Sequence, residues 1–197
     1  RYTLVTGVQT CALPILPDGT NAQAVFGNYT QNPHCAFEAR AIPGSRKLIF
    51  TASGHHANTG GSLVLLDLSR GADNPEAMTR LTPEVCFPET EGWPQSYFIN
   101  PYPLSEEHYL AAWSDREMIG WPGPPEPVHA TGLYLFDAFG NLNLIYRDPT
   151  ISSMSPLPVR GRPRPHAIPS EVAWDGEQEG RMLLLNVYDG LEGIERG

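Results

Sequence analysis

The stretch IPGSRKLIFTASGHHANTGGSLVLLDLSRG, residues 42–71, decides how this chain is read. It opens on a Pro-x-Ser turn and runs through a β-rich segment that ends in Ser. A loop follows, then an apolar run that ends in Asp. A second version appears downstream: YPLSEEHYLAAWS at 102–114, a longer loop, and GLYLFDAFGN at 132–141. Leu63-Val64-Leu65-Leu66-Asp67 matches Leu133-Tyr134-Leu135-Phe136-Asp137 position by position, seventy residues on. These runs are too short for helices and lack helical caps, so they read as strands bounded by turn residues. Each copy is expected to hold an antiparallel pair of strands. The closing Asp is expected to accept backbone hydrogen bonds in the turn that follows, where Gly71 or Gly140 sits. MTRLT (78–82) and LNLIYRD (142–148) read as one further strand in each copy.

Repeats of several strands with Gly-punctuated turns predict an all-β chain, and more specifically part of a β-propeller. The spacing exceeds the roughly 40–50 residues usual for a blade. The excess falls in loops at 54–60, 86–100 and 117–131. GRMLLLNVYDG (180–190) reads as part of a third copy. The expectation is therefore about two blades and part of a third, truncated at both ends. The competing arrangement is a β-sandwich with strands that happen to look repetitive.

Composition narrows the function classes. Of 197 residues, 41% are hydrophobic, as in an ordinary globular chain, and 20 Pro with 19 Gly fit short strands joined by turns. The net charge of −9 argues against nucleic acid as a main partner, which would call for a basic face. No apolar run reaches the ~18 residues of a membrane helix. No Cys-x-x-Cys occurs, so no thioredoxin motif, zinc ribbon or c-type haem attachment can be placed here.

The pattern of residues 42–71 resembles TolB-type and WD40-like bacterial blades. Taken together, FGNYTQNPHCAFEARAIPGSRKLIFTASGHH, RLTPEVCFPETEGWP, NPYPLSEEHYLAAWSD, GLYLFDAFGNLNLIYRD and PLPVRGRPRP resemble the proteins related to the hydrazine synthase alpha subunit. This resemblance covers most of residues 17–197 and implies a middle, propeller-like domain of a large bacterial protein exported from the cytoplasm. In hydrazine synthase itself the chemistry belongs to c-type haem. With no Cys-x-x-Cys-His in this sequence, no catalytic residue is carried over, and any haem would lie elsewhere in the full-length protein. The resemblance thus implies a scaffold or interaction platform whose partners are other blades of the same chain, or another protein. Two alternatives stay open: a segment of a haem-dependent redox enzyme, and a sugar- or peptide-binding propeller.

At the other end of the chain, VTGVQTCALPI (5–15) resembles the translation of a common short-read sequencing adapter across eleven consecutive residues. Residues 1–15 are accordingly set apart as an artefact, and 16–197 are read as the propeller fragment of a longer protein. Cys11 then carries no weight, which leaves Cys35 and Cys86 as a candidate disulfide.

Among possible sites, His34, Cys35, His55 and His56 are the densest metal-ligand types, suited to zinc or copper. Their spacing matches no metal motif, and the expectation is that they bind none. Glu89, Glu91 and Trp93 can be read as a sugar site or an acid/base pair, or as a loop packed by Phe87 and Trp93, which is the favoured reading. Asp115 and Arg116 read as a turn salt bridge. Arg160, Arg162 and Arg164 lie in an extended, Pro-rich path that reads as a solvated connector or a grip for an acidic group. Asn28 opens a glycosylation sequon.

Overall fold

The computed structural model describes residues 18, 20, 25–27, 30–71, 74–124, 130–161, 167–177, 179–180, 182–186 and 193. The adapter-like residues 1–15, the start of the Asn28 sequon, Arg162, Arg164 and residues 187–190 lie outside the described residues.

The described chain is all-β. Strands β1 (Cys35–Ala41), β2 (Lys47–Ser53), β3 (Ser62–Asp67) and β4 (Met78–Arg80) form one antiparallel sheet in chain order. Strands β5 (Tyr97–Pro103), β6 (His108–Ser114), β7 (Gly132–Asp137) and β8 (Leu142–Tyr146) form a second sheet in the same order. Short 3-10 turns at Leu68–Arg70 and Pro75–Ala77 join β3 to β4.

The closing aspartates behave as expected. Asp67 accepts from the Ser69 backbone N–H at 3.0 Å and from its hydroxyl, and Asp137 accepts from the backbone N–H of Phe139 and Asn141. These bonds replace sheet pairing just where each strand must turn.

Strands β1 and β5 are the elements the sequence did not announce. β1 interrupts its apolar residues with Glu38 and Arg40. β5 carries Pro101 and Pro103, which lack an N–H and would break a central strand. Both strands sit at a sheet edge, where a missing donor costs little, and each breaks register at a bulge, between Phe37 and Arg40 and between Ile99 and Tyr102. The bulge residues Glu38 and Asn100 both take left-handed backbone conformations (φ 57° and 51°).

The sheets pack through alternate residues of their central strands. Ile49, Leu63 and Leu65 of the first sheet meet Phe98, Tyr109, Ala111 and Phe136 of the second in one buried cluster. The Phe136 ring lies 5.6 Å from Phe98 and 5.8 Å from Tyr109, centre to centre. Strand β5 lies against β1, β2 and β3, and Gly61, just before β3, exchanges two backbone hydrogen bonds with Phe98 of β5. Gly61 is a glycine of necessity there: its φ is +147°, and a Cβ would sit 2.0 Å from the Ala52 carbonyl oxygen.

Of the expected third copy, the described residues Met182, Leu183, Leu184 and Leu185 are in no strand and are exposed. One expectation needs correction. Asp115 pairs with Arg147, whose Nη2 donates to it at 2.9 Å, because β6 and β8 run in the same direction on either side of β7 and end together.

Candidate functional site

The loops after β2 and β6 come together at one end of the two sheets. Ala57 bridges to Gly120, and the Trp121 N–H donates to the His56 carbonyl at 2.6 Å. Gly120 admits the close approach of Trp93: a Cβ there would lie 2.2 Å from the indole ring. Between the loops opens a cleft of about 540 Å³ lined by His55, His56, Asn58, Ile119 and Trp121, among others. Trp121 is 76% exposed, an unusual state for the largest apolar side chain.

Glu89 ties this end together from the loop that leads into β5. Its carboxylate accepts from the backbone N–H of His55 at 2.6 Å and of His56 at 3.0 Å. The His56 ring Nδ1 lies 2.5 Å from the same carboxylate. His34 Nδ1 is 3.4 Å from the other carboxylate oxygen. Beyond it, His56 Nε2 lies 3.3 Å from His55 Nδ1, the two rings edge-on. When His56 donates from Nδ1 to Glu89, its Nε2 is left to accept from the neighbouring ring. In the neutral pair this leaves Nε2 of His55 as the nitrogen carrying a lone pair.

Glu91, two residues on, belongs to a separate cluster. Arg80 grips it with both guanidinium nitrogens at 3.0 and 2.7 Å, Asn32 donates to it, and so does the Phe87 N–H. The same guanidinium lies 3.6 Å from the centre of the Phe87 ring.

Burial is the largest single influence on Glu89 and raises its pKa. The His56 ring, the His56 and His55 amides and His34 together outweigh it and hold the pKa at about 2. For Glu91 the Arg80 hydrogen bonds dominate over burial, and the pKa is again about 2. Both are therefore carboxylates at neutral pH, each engaged by its own donors. Neither is prepared to deliver a proton, so the acid/base reading of the pair has no support in their geometry.

The structure thus gathers His34, His55 and His56 around Glu89. Cys35 lies apart in register, buried at the start of β1 opposite Ser53. Among the described residues no group of three or more His, Cys, Asp or Glu is arranged to hold a metal ion. Cys35 and Cys86 are thiols, not a disulfide. Phe87 is buried as the loop reading expected, whereas Trp93 is partly open and covers Gly120. Arg160 lies on an exposed stretch without regular structure. Asn58, Ile119 and Trp121 escaped sequence reading. The one available signal was a Trp set in a Gly- and Pro-rich loop, where no strand could bury it.

No known family model, curated protein or solved structure matches the chain.

Proposed function

We propose that this chain is a section of a β-propeller from the proteins related to the hydrazine synthase alpha subunit, serving as a scaffold or interaction platform without chemistry of its own. The observation that supports this most is the stacking of two like sheets. Each is a four-stranded antiparallel meander, and the first strand of the second lies against three strands of the first. Propeller blades are four-stranded sheets set around a channel. Two sheets close no ring, so the partners of this section are further blades of a longer polypeptide exported beyond the cytoplasm.

A c-type haem does not fit the residues present, because its attachment needs Cys-x-x-Cys-His and the sequence has none. The deciding experiment is to recover the gene on both sides of this segment and take an absorption spectrum of the full-length protein. Further blade repeats without a haem band support the scaffold. A neighbouring Cys-x-x-Cys-His with a haem band transfers the function to a redox enzyme. Absence of both blade repeats and haem motif overturns the family reading.

The cleft beside His55, His56 and Asn58 favours a second reading, a sugar- or peptide-binding propeller. Trp121 offers a flat apolar face with imidazole and amide groups beside it, the pairing that small polar ligands use. Titrating the full-length protein with oligosaccharides and peptides, followed by Trp fluorescence, checks it. A saturable change that Trp121→Ala abolishes supports binding there; no response to either class removes it.

A further inference from the structure

We infer that residues 153–160 are the first strand of a third sheet, and that the outward face of the second sheet is its seat. This rests on the propeller reading and names the partner that its second sheet takes. Residues 153–160 are in no strand here, and sequence reading began a Pro-rich connector at Pro156. Three independent observations assign them otherwise.

The first is register between the sheets. Gly61 and Phe98 exchange backbone hydrogen bonds of 3.0 and 2.8 Å. Thr131 stands seventy residues after Gly61, the offset that relates Leu63 to Leu133. It holds Ser153 by one of the two equivalent backbone bonds and a side-chain bond in place of the other: the Ser153 N–H donates to the Thr131 carbonyl at 3.0 Å, and the Thr131 hydroxyl donates to the Ser153 carbonyl at 3.1 Å. Ser153 therefore meets the second sheet where Phe98 meets the first.

The second is the bulge. Two residues past Phe98 lies Asn100, and two past Ser153 lies Ser155. The sequences continue Asn-Pro-Tyr-Pro and Ser-Pro-Leu-Pro. Glu38, Asn100 and Ser155 have φ of 57°, 51° and 54°, a conformation that side chains with a Cβ rarely take. They are linked in series. The Asn100 N–H and side-chain amide donate to the Glu38 carboxylate, and the Ser155 N–H donates to the Asn100 side-chain carbonyl at 3.0 Å. Each bulge thus anchors the next, one rung per sheet.

The third is what lies uncovered. On the first sheet Ile49, Leu63 and Leu65 are buried by the second. Their counterparts by strand pairing are Leu110, Leu133 and Leu135: Leu110 faces Leu135 as Ile49 faces Leu65. These three are only half-buried. In the first sheet's partner the cover comes from Tyr109 and Ala111 of YLAAWSD. The later stretch LLLNVYD offers Leu183 and Leu185 at those places, now 83% and 89% exposed. Leu133 already packs against the cluster of Tyr97, Ile99, Ala112 and Met118. The half-open leucines of this face, and two exposed leucines in matching order, are complementary halves of one contact.

Hydrogen exchange on the full-length protein tests this, with Asn100→Gly as the variant, since Gly keeps the left-handed backbone and removes the acceptor. Amides of 153–159 are expected to be protected as β5 is, and Asn100→Gly should speed exchange at Ser155 about tenfold while β6 stays unchanged. Free exchange at 153–159 beside protected β1–β8 overturns the third strand and leaves the two-sheet reading standing. Loss of protection in β2, β3 and β5 as well would bring down the propeller reading itself. A second pair keeps the outcome clear if Asn100→Gly misfolds. Ser155→Val should lower the melting temperature while Ser155→Gly does not; equal indifference to both overturns the inference.

Discussion

Glu89 and Glu91 show how far a single residue's surroundings redirect its role. Two carboxylates in FPETEGWP look interchangeable, yet the backbone turn between them sends one to three histidines and the other to Arg80. Glu89→Gln keeps the shape but weakens acceptance from two amides and a ring. We expect a loss of about 1–2 kcal/mol in chemical denaturation, with local exchange rising at His55 and His56. Arg80→Ala should cost about 1 kcal/mol, since the pair is partly exposed and solvent screens it. The pH dependence follows from the same bonds. Both carboxylates have an ordinary pKa of 4.5 and about 2 when folded. A folded value below the unfolded one means the stabilisation is complete above pH 4.5 and is lost as pH falls toward 2. A melting-temperature series should therefore decline across that window. The decline should be shallower in the Glu89→Gln, Glu91→Gln double variant; equal slopes would show that other groups control acid unfolding.

At the scale of elements, the central strands of each sheet carry the packing and the edge strands carry the joints. Phe136 touches Phe98 of β5 and Tyr109 of β6 and shares a buried cluster with Ile49, Leu63 and Leu65 of the first sheet, so its ring lies in the seam between sheets. Phe136→Ala should cost about 3–5 kcal/mol, a cavity penalty that thermal melting will register. Gly61→Ala should be comparably damaging for a different reason. Its Cβ would meet the Ala52 carbonyl and break the bridge to Phe98. These strands were legible where apolar residues ran uninterrupted, as in Leu63-Val64-Leu65-Leu66. β1 and β5 were not legible, because polar residues and prolines hide a strand whose register is set by its neighbours rather than by its own alternation.

For the whole molecule, the question is what covers the second sheet. Strand β8 is an open edge with Leu144, Ile145 and Tyr146 all exposed, and Leu133 and Leu135 are half-covered behind it. Leu65, the first-sheet counterpart of Leu135, is by contrast buried by the second sheet. Such apolar edges invite pairing between molecules. Residues 16–197 expressed alone should be insoluble or oligomeric by size-exclusion chromatography, and Ile145→Lys should raise the monomer fraction. A monomeric fragment with a sharp reversible melt would favour a self-contained β-sandwich. Residues 1–197 and 16–197 should behave alike in solubility and size-exclusion chromatography if the first fifteen residues are an adapter translation.

The sequence by itself determined the class and the rhythm of this protein. Short apolar runs, each ended by an Asp that must cap its own turn, permit strands and little else, and their recurrence requires like units. The conversion of those units into two four-stranded meanders was decided by tertiary structure. So was the separation of Glu89 from Glu91, and so was the cleft beside Trp121. The cleft depends on loops that meet across more than sixty residues, as Ala57 meets Gly120, and Glu89 depends on histidines that lie well back along the chain. Local composition carries no record of a partner that distant, because pairing, burial and shared hydrogen bonds arise only once the sheets stack.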